Sequence, residues 1–83
     1  MREIFMKSYT ISANWQKLAN TRTVLVATLI ASPLNAGALQ VRVDGGATAL
    51  WSKGVSATFF GVDISRIEVK GNAGDMALVV GTG

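Results

Sequence analysis

The sequence predicts an all-β fold: a small antiparallel β-sandwich, jelly-roll-like domain or barrel of about six to eight short strands. Three observations carry this. Apolar and polar residues alternate with period two in short runs, most cleanly in Ala38-Leu39-Gln40-Val41-Arg42-Val43 and in Ile67-Glu68-Val69-Lys70. Clusters of turn-forming residues recur at intervals of roughly ten residues, as in Asp44-Gly45-Gly46 and Ser52-Lys53-Gly54. β-Branched and aromatic side chains concentrate in the runs between them.

In chain order, Glu3 to Ile11 reads as a first strand with Phe5, Tyr9 and Ile11 on one parity. Its polar content places it at a sheet edge. Alternatively, the residues up to about 12 form an arm that orders on a neighbour. Ser12 to Asn20 lacks β-branched residues and reads as a connection with room for one helical turn, anchored by Trp15 and Leu18. Trp15 is expected to lie as a lid over one end of the sandwich. Thr21 to Ala31 has the strongest strand propensity. Its nearly continuous apolar character predicts a central strand, or one covered on its outer face by another subunit. Ser32-Pro33 stops it, and residues 33–37 form a loop.

Leu39, Val41 and Val43 are expected to face in, with Gln40 and Arg42 out. Asp44-Gly45-Gly46 is a turn in which both glycines take left-handed geometry. Thr48 to Trp51 is a short strand, Ser52-Lys53-Gly54 a turn, and Val55 to Phe60 another strand. Phe59 and Phe60 are adjacent, so they point to opposite sides. One belongs to the core and the other to a contact surface; Leu50 and Trp51 pose the same choice. In the last stretch, Ile67 to Lys70 and Met76 to Val80 are separated by Gly71-Asn72-Ala73-Gly74-Asp75 and predict an antiparallel hairpin. Met76, Leu78 and Val80 share one face while Ala77 and Val79 share the other, so that strand is apolar on both sides.

The whole chain, residues 1–83, is one domain with no linker, low-complexity tract or clear internal repeat. It has no Cys and no His, which excludes disulfides and the usual zinc or haem ligands. Its five acidic residues are spread out and form no EF-hand loop. No cofactor is expected. A domain this small has little core to stabilise it, and here 49% of residues are hydrophobic against 16% charged. Such a chain exposes apolar patches, and those patches are interfaces. The net charge of +3 is scattered over the chain, with no basic stripe or nucleic-acid motif.

One segment imitates a targeting signal. Thr23 to Ala31 followed by Ala36-Gly37-Ala38 resembles a signal-peptide core with its cleavage site. The 22 preceding residues contain Glu3 and are patterned as strand, and cleavage after Ala38 would leave 45 residues, so a strand is the better reading. The run is too short to cross a membrane as a helix.

Some residues carry a likeness to a known family. Val41-Arg42-Val43-Asp44-Gly45-Gly46 fits a "V-x-V-D-G-G" strand and turn, after a strand that ends in Asn before a loop, as Thr23 to Asn35 does. Gly54-Val55-Ser56-Ala57-Thr58-Phe59 follows, then Gly61 through Gly71, then Ala73-Gly74-Asp75 and a closing Val79-Val80-Gly81. Over residues 15–81 this resembles small β-rich virion structural proteins of tailed bacteriophages. The resemblance implies a non-enzymatic capsid decoration or cement protein that stabilises the particle between shell subunits. Alternatives are a neck, tail or fibre-anchoring component, or a receptor- or glycan-binding module with Trp15, Trp51 or Tyr9 on a concave face. It implies location in the virion, after assembly in the host cytoplasm, and major capsid or other virion proteins as partners. Self-association, as a trimer, is also expected; nucleic acid and membrane are not. The candidate contact residues are Phe5, Tyr9, Trp15, Trp51, Phe59 and Phe60, with Arg2, Lys7 and Lys53 as rim charges. No nucleophile-elbow spacing supports an enzyme. Asp44, Asp63 and Asp75 would have to carry any catalysis; as turn residues they set only the melting temperature.

Overall fold

The computed structural model describes residues 4–83, and it is all-β. Its strands are β1 (Ile4–Thr10), β2 (Gln16–Lys17), β3 (Val24–Ala31), β4 (Leu39–Val43), β5 (Ala49–Trp51), β6 (Ser56–Asp63), β7 (Ile67–Lys70) and β8 (Met76–Thr82), with a 3-10 turn at Ile64–Arg66. All pairings are antiparallel. They build two four-stranded sheets, ordered β1-β8-β3-β6 and β2-β7-β4-β5. The first has strands of seven or eight residues and is called here the long sheet. The second has strands of two to five residues and is the short sheet.

The strand order has a simple origin. β1 pairs with β8, β2 with β7, β3 with β6, and β4 with β5. These are the rungs of one long hairpin folded at the β4–β5 turn. Rolling it sends alternate rungs to opposite sheets and adds the pairs β3·β8 and β4·β7. The result is a jelly roll. At the fold point the Gly46 amide donates to the Val43 carbonyl at 2.9 Å. Asp44 and Gly45 take the positive φ values there, 53° and 70°. The sequence pattern places left-handed geometry at Gly45 and Gly46; the turn starts one residue earlier, and Asp is one of the few side chains that tolerate this geometry.

One core fills the space between the sheets. Leu25, Ala27, Leu29, Ala31, Ala77 and Val79 from the long sheet meet Leu39, Val41, Ile67 and Val69 from the short one. Ile11, Leu18 and Ile64 belong to the same cluster. β1 is the expected edge strand, paired along its whole length rather than free as an arm, and β3 is the expected central strand.

Three expectations need correction. Ile67–Lys70 and Met76–Thr82 do not form a hairpin; they lie in different sheets. The five residues between them turn a corner beside the β1–β2 corner. Gly71 N donates to Ser12 O at 2.9 Å, Gly74 N to Ile11 O at 3.1 Å, and Ile11 N to Asp75 O at 2.7 Å. Alternation identifies strands but not their partners. The second correction is Ser12 to Asn20, which holds no helical turn: Gln16 and Lys17 pair as strand with Val69 and Glu68. Third, β6 runs on past Phe60 to Asp63 through a bulge, where Phe60 and Gly61 together oppose Val26. Gly61, at φ 66°, supplies the positive φ that bulge requires.

Candidate docking faces

The outer faces of the two sheets are the extended surfaces on which a partner can sit. On the long sheet, alternation places Ile4, Met6, Ser8 and Thr10 of β1 outward, beside Thr82, Val80, Leu78 and Met76 of β8. Val26, Thr28 and Ile30 follow on β3, then Phe60, Thr58 and Ser56 on β6. Over these rungs no described residue is charged; Asp63, which pairs with Val24, is the charge at the end of the face. Ile4, Met6 and Phe60 are 78%, 68% and 78% exposed, with Val26 and Met76 exposed beside them. Its hydroxyls partly satisfy one another, Thr28 and Thr58 pairing at 2.8 Å. Four strands about 4.8 Å apart and about 23 Å long make a face of roughly 400 Å² in plan. A patch of that size is about as large as the largest one on a typical monomer, roughly 300–600 Å², and such patches are often functional.

The outer face of the short sheet is built differently. Trp15 lies one residue before Gln16, which pairs with Val69, so it falls beside Lys70. The Arg42 guanidinium sits 4.2 Å from the centre of the Trp15 ring and the Lys70 ammonium 4.9 Å. Arg42 Nε also donates to Glu68 Oε1 at 3.0 Å. Trp15 is thus half-buried on this outer face, not a lid over the end of the sandwich. Lys17 and Gln40 extend a wet, positively charged surface, and Leu50, which pairs with Gln40 and is 77% exposed, points out at its β5 edge.

The predicted contact residues separate accordingly. Phe5 is half-buried against the core and Tyr9 is 4% exposed, so both face inward. The Tyr9 hydroxyl donates to the Leu18 carbonyl, and burial pushes its pKa up. Trp51 and Phe59 are half-buried at the margin of the core, their ring centres 6.4 Å apart. Trp51 Nε1 donates to Val55 O at 2.7 Å. Phe60 is the aromatic that points out, which settles the Phe59–Phe60 pair. Lys7 is exposed, 5.0 Å above the Tyr9 ring, and Lys53 is exposed in the turn after β5. Arg2 lies outside the described residues. Sequence reasoning looked for aromatic anchors and so passed over Ile4, Met6 and Val26. The signal was there: Leu78 and Val80 on a doubly apolar β8, and the near-continuous apolar run of β3.

A cleft of about 430 Å³ opens where short β5 leaves Val43, paired with Ile67 on its other side, without a partner in β5. Val24, Val41, Phe59 and Val62 line it, with Arg22 and Arg66 among its polar residues.

The three aspartates hold turns. Asp44 takes a two-pronged ion pair from Arg66, whose Nε lies 2.9 and 3.0 Å from its two oxygens. That hydrogen bonding from Arg66 lowers the Asp44 pKa. Asp63 accepts from Ser65 Oγ at 2.7 Å and from the amides of Ser65 and Thr23 at 3.0 Å; these bonds, the Ser65 hydroxyl first, lower its pKa too. Buried Asp75 accepts from the amides of Ala36 and Gly37 at 2.9 and 3.4 Å. Beside it, buried Asn35 imitates a strand residue: its side chain accepts from Met76 N at 2.8 Å and donates to Met76 O at 3.0 Å. Among the described residues, no three His, Cys, Asp or Glu side chains group into a metal site.

Comparison of the chain with protein-family models, with curated proteins and with solved structures returns no match.

Proposed function

We propose that this chain is a non-enzymatic structural protein of a tailed-phage virion: a decoration or cement domain held between shell subunits, assembled in the host cytoplasm. The observation that carries the reading is the outer face of the long sheet, uncharged across its described rungs from β1 to Phe60, Thr58 and Ser56 of β6. The motif resemblance over residues 15–81 supports it, as does a fold used by viral capsid domains among others. The commitment of Asp44, Asp63 and Asp75 to turns weighs against an enzyme. Glycan binding is less favoured, because Tyr9 is buried, Trp51 is bonded at its nitrogen and Trp15 is stacked under Arg42.

Magnitudes say how such a face works. About 300 Å² of apolar area at about 25 cal/mol per Å² yields roughly 7 kcal/mol. Association costs about 4–15 kcal/mol, so one copy on one site binds weakly. Repetition over a symmetric shell converts that weak contact into stable attachment.

Co-sedimentation of the chain with assembled phage heads, necks and tails tests the proposal. Saturable binding to one of them is expected, weakened at least tenfold by Val26→Glu and unchanged by Lys17→Glu on the opposite face. A chain that stays in the supernatant with all three assemblies overturns it.

A further inference from the structure

Among the described residues there are four edge strands, and they differ in how they are protected. β2 and β5 have two and three residues, too short to template another strand. β1 has seven residues, but Lys7 lies on its core-facing parity, the usual safeguard against strand addition. β6 has eight residues and no charge before Asp63.

The backbone of β6 also presents the right groups. Ala31 N donates to Val55 O at 3.1 Å, which makes Ala31 and Val55 a hydrogen-bonded pair of the β3–β6 ladder. By alternation, Ala57 and Phe59 point their amides and carbonyls toward β3, while Ser56, Thr58 and Phe60 point theirs away from the sheet. Among the described residues, no turn or side-chain bond takes up those outward groups.

We propose that β6 pairs antiparallel with β6 of a second copy, about a twofold axis at Thr58. Ser56 then faces the other copy's Phe60, and Thr58 faces Thr58. Three residues per copy, each exchanging an N–H and a C=O, give about six hydrogen bonds. That number suits an interface of roughly 600–1,200 Å². A second copy is the partner that fits, because an edge without charge meets itself without repulsion in a chain of net charge +3. Stacking the short sheets would instead bring Lys17, Arg42 and Lys70 of two copies together. The pairing covers Phe60, the most exposed aromatic ring, and shelters Phe59 and Trp51 on the inner side of the same edge. A twofold contact closes on itself, so the copy number is even, in place of the trimer expected from the sequence. It also joins two long sheets into one, doubling the uncharged face to roughly 800 Å² in plan. The pairing does not depend on the proposed role in the virion, and its test needs no particle.

Light scattering on the full chain, alone in solution, should give twice the 8.7 kDa chain mass. Thr58→Pro removes an outward amide and should yield a folded monomer, because an edge strand accepts proline where the N–H faces solvent. Ser8→Pro, the equivalent change on the β1 edge, should leave the dimer intact. A monomeric or odd-numbered wild type, or a dimeric Thr58→Pro, overturns the proposal. Should Thr58→Pro fail to fold, hydrogen exchange on the wild type decides. The amides of Ser56, Thr58 and Phe60 should exchange at least tenfold more slowly than those of Met6 and Ser8. Equal rates overturn the pairing.

Discussion

The two sheets of this jelly roll solve the same problem in opposite ways. Each must cover an outer face as well as an inner one. The short sheet covers itself: Trp15 lies across β7 and β4 under two cations, and Arg42 is tied in turn to Glu68. The long sheet has no such cover, and its outer face mixes Ile, Met, Val, Leu and Phe with Ser and Thr. The two layers of one small protein thus differ in outer chemistry: the short sheet is mostly charged and stacked, the long sheet mostly apolar and hydroxyl-bearing.

That contrast depends most on how the short sheet is held together, so its anchor should give the largest effect. β2 has only two paired residues, too few to persist alone. Leu18, 1% exposed, fixes its end in the core, its amide bonded to Ile67 O at 3.0 Å and its carbonyl accepting the Tyr9 hydroxyl. Leu18→Ala should lower unfolding free energy by about 2–5 kcal/mol, measured by urea titration. A loss under about 1 kcal/mol would mean that β2 is held by something other than this anchor.

Trp15 comes next. Its removal deletes two cation–ring contacts, each about 0.5–1 kcal/mol, and uncovers part of β7. Trp15→Ala should cost about 1–3 kcal/mol without changing attachment to any partner. If attachment fails while stability holds, the wet face is the docking face and the assignment of the two sheets is reversed.

How much of this was legible follows from what sequence patterns encode. Period-two alternation gave β4 and β7 nearly residue for residue, and propensity gave central β3. The turn at Asp44 was legible because Gly-Gly after an aspartate has few other uses. Partner choice was not legible. The link from β7 to β8 reads like a hairpin loop, and only Ile11 and Ser12, some sixty residues away, reveal it as a corner between sheets. β2 was invisible because two residues carry no period. The candidate surface was half legible: the doubly apolar β8 was read correctly, whereas Ile4 and Met6 joined that face only once β1 was placed beside β8. Tyr9 looked like a contact residue because parity cannot say whether an edge strand's aromatic faces the core or a neighbour.

A smaller effect separates the ends of the two sheets by pH and salt. Hydrogen bonds hold the Asp63 carboxyl below the ordinary aspartate value, and Arg66 does the same for Asp44. Each therefore binds protons less readily folded than unfolded. The stability they contribute is complete above the unfolded value, near about 4, and is lost as pH falls through the lower folded one. Asp63→Asn should lower the melting temperature at pH 7 and flatten its fall below pH 4. The Asp44–Arg66 pair is exposed, so salt should screen its share but leave that of Asp63, which rests on hydrogen bonds. An acid limb abolished by salt alone would assign the effect to the ion pair.

The smallest effect is the sharpest test of the contrast. Met6→Thr and Val26→Thr exchange exposed apolar side chains on the long sheet for polar ones, at positions 68% and 42% exposed. In a free chain those side chains already meet water, so little burial is lost; threonine also suits a strand. Each variant should therefore stay within about 0.5 kcal/mol of the wild type in urea titration. Solubility should rise, and under the proposed virion role attachment should weaken, because on that reading only the docked state buries these positions. A destabilisation as large as that of Trp15→Ala would show that the free chain already covers the face within itself. The two sheets would then be alike, and the long sheet's lack of charge would reflect ordinary packing and not a waiting partner.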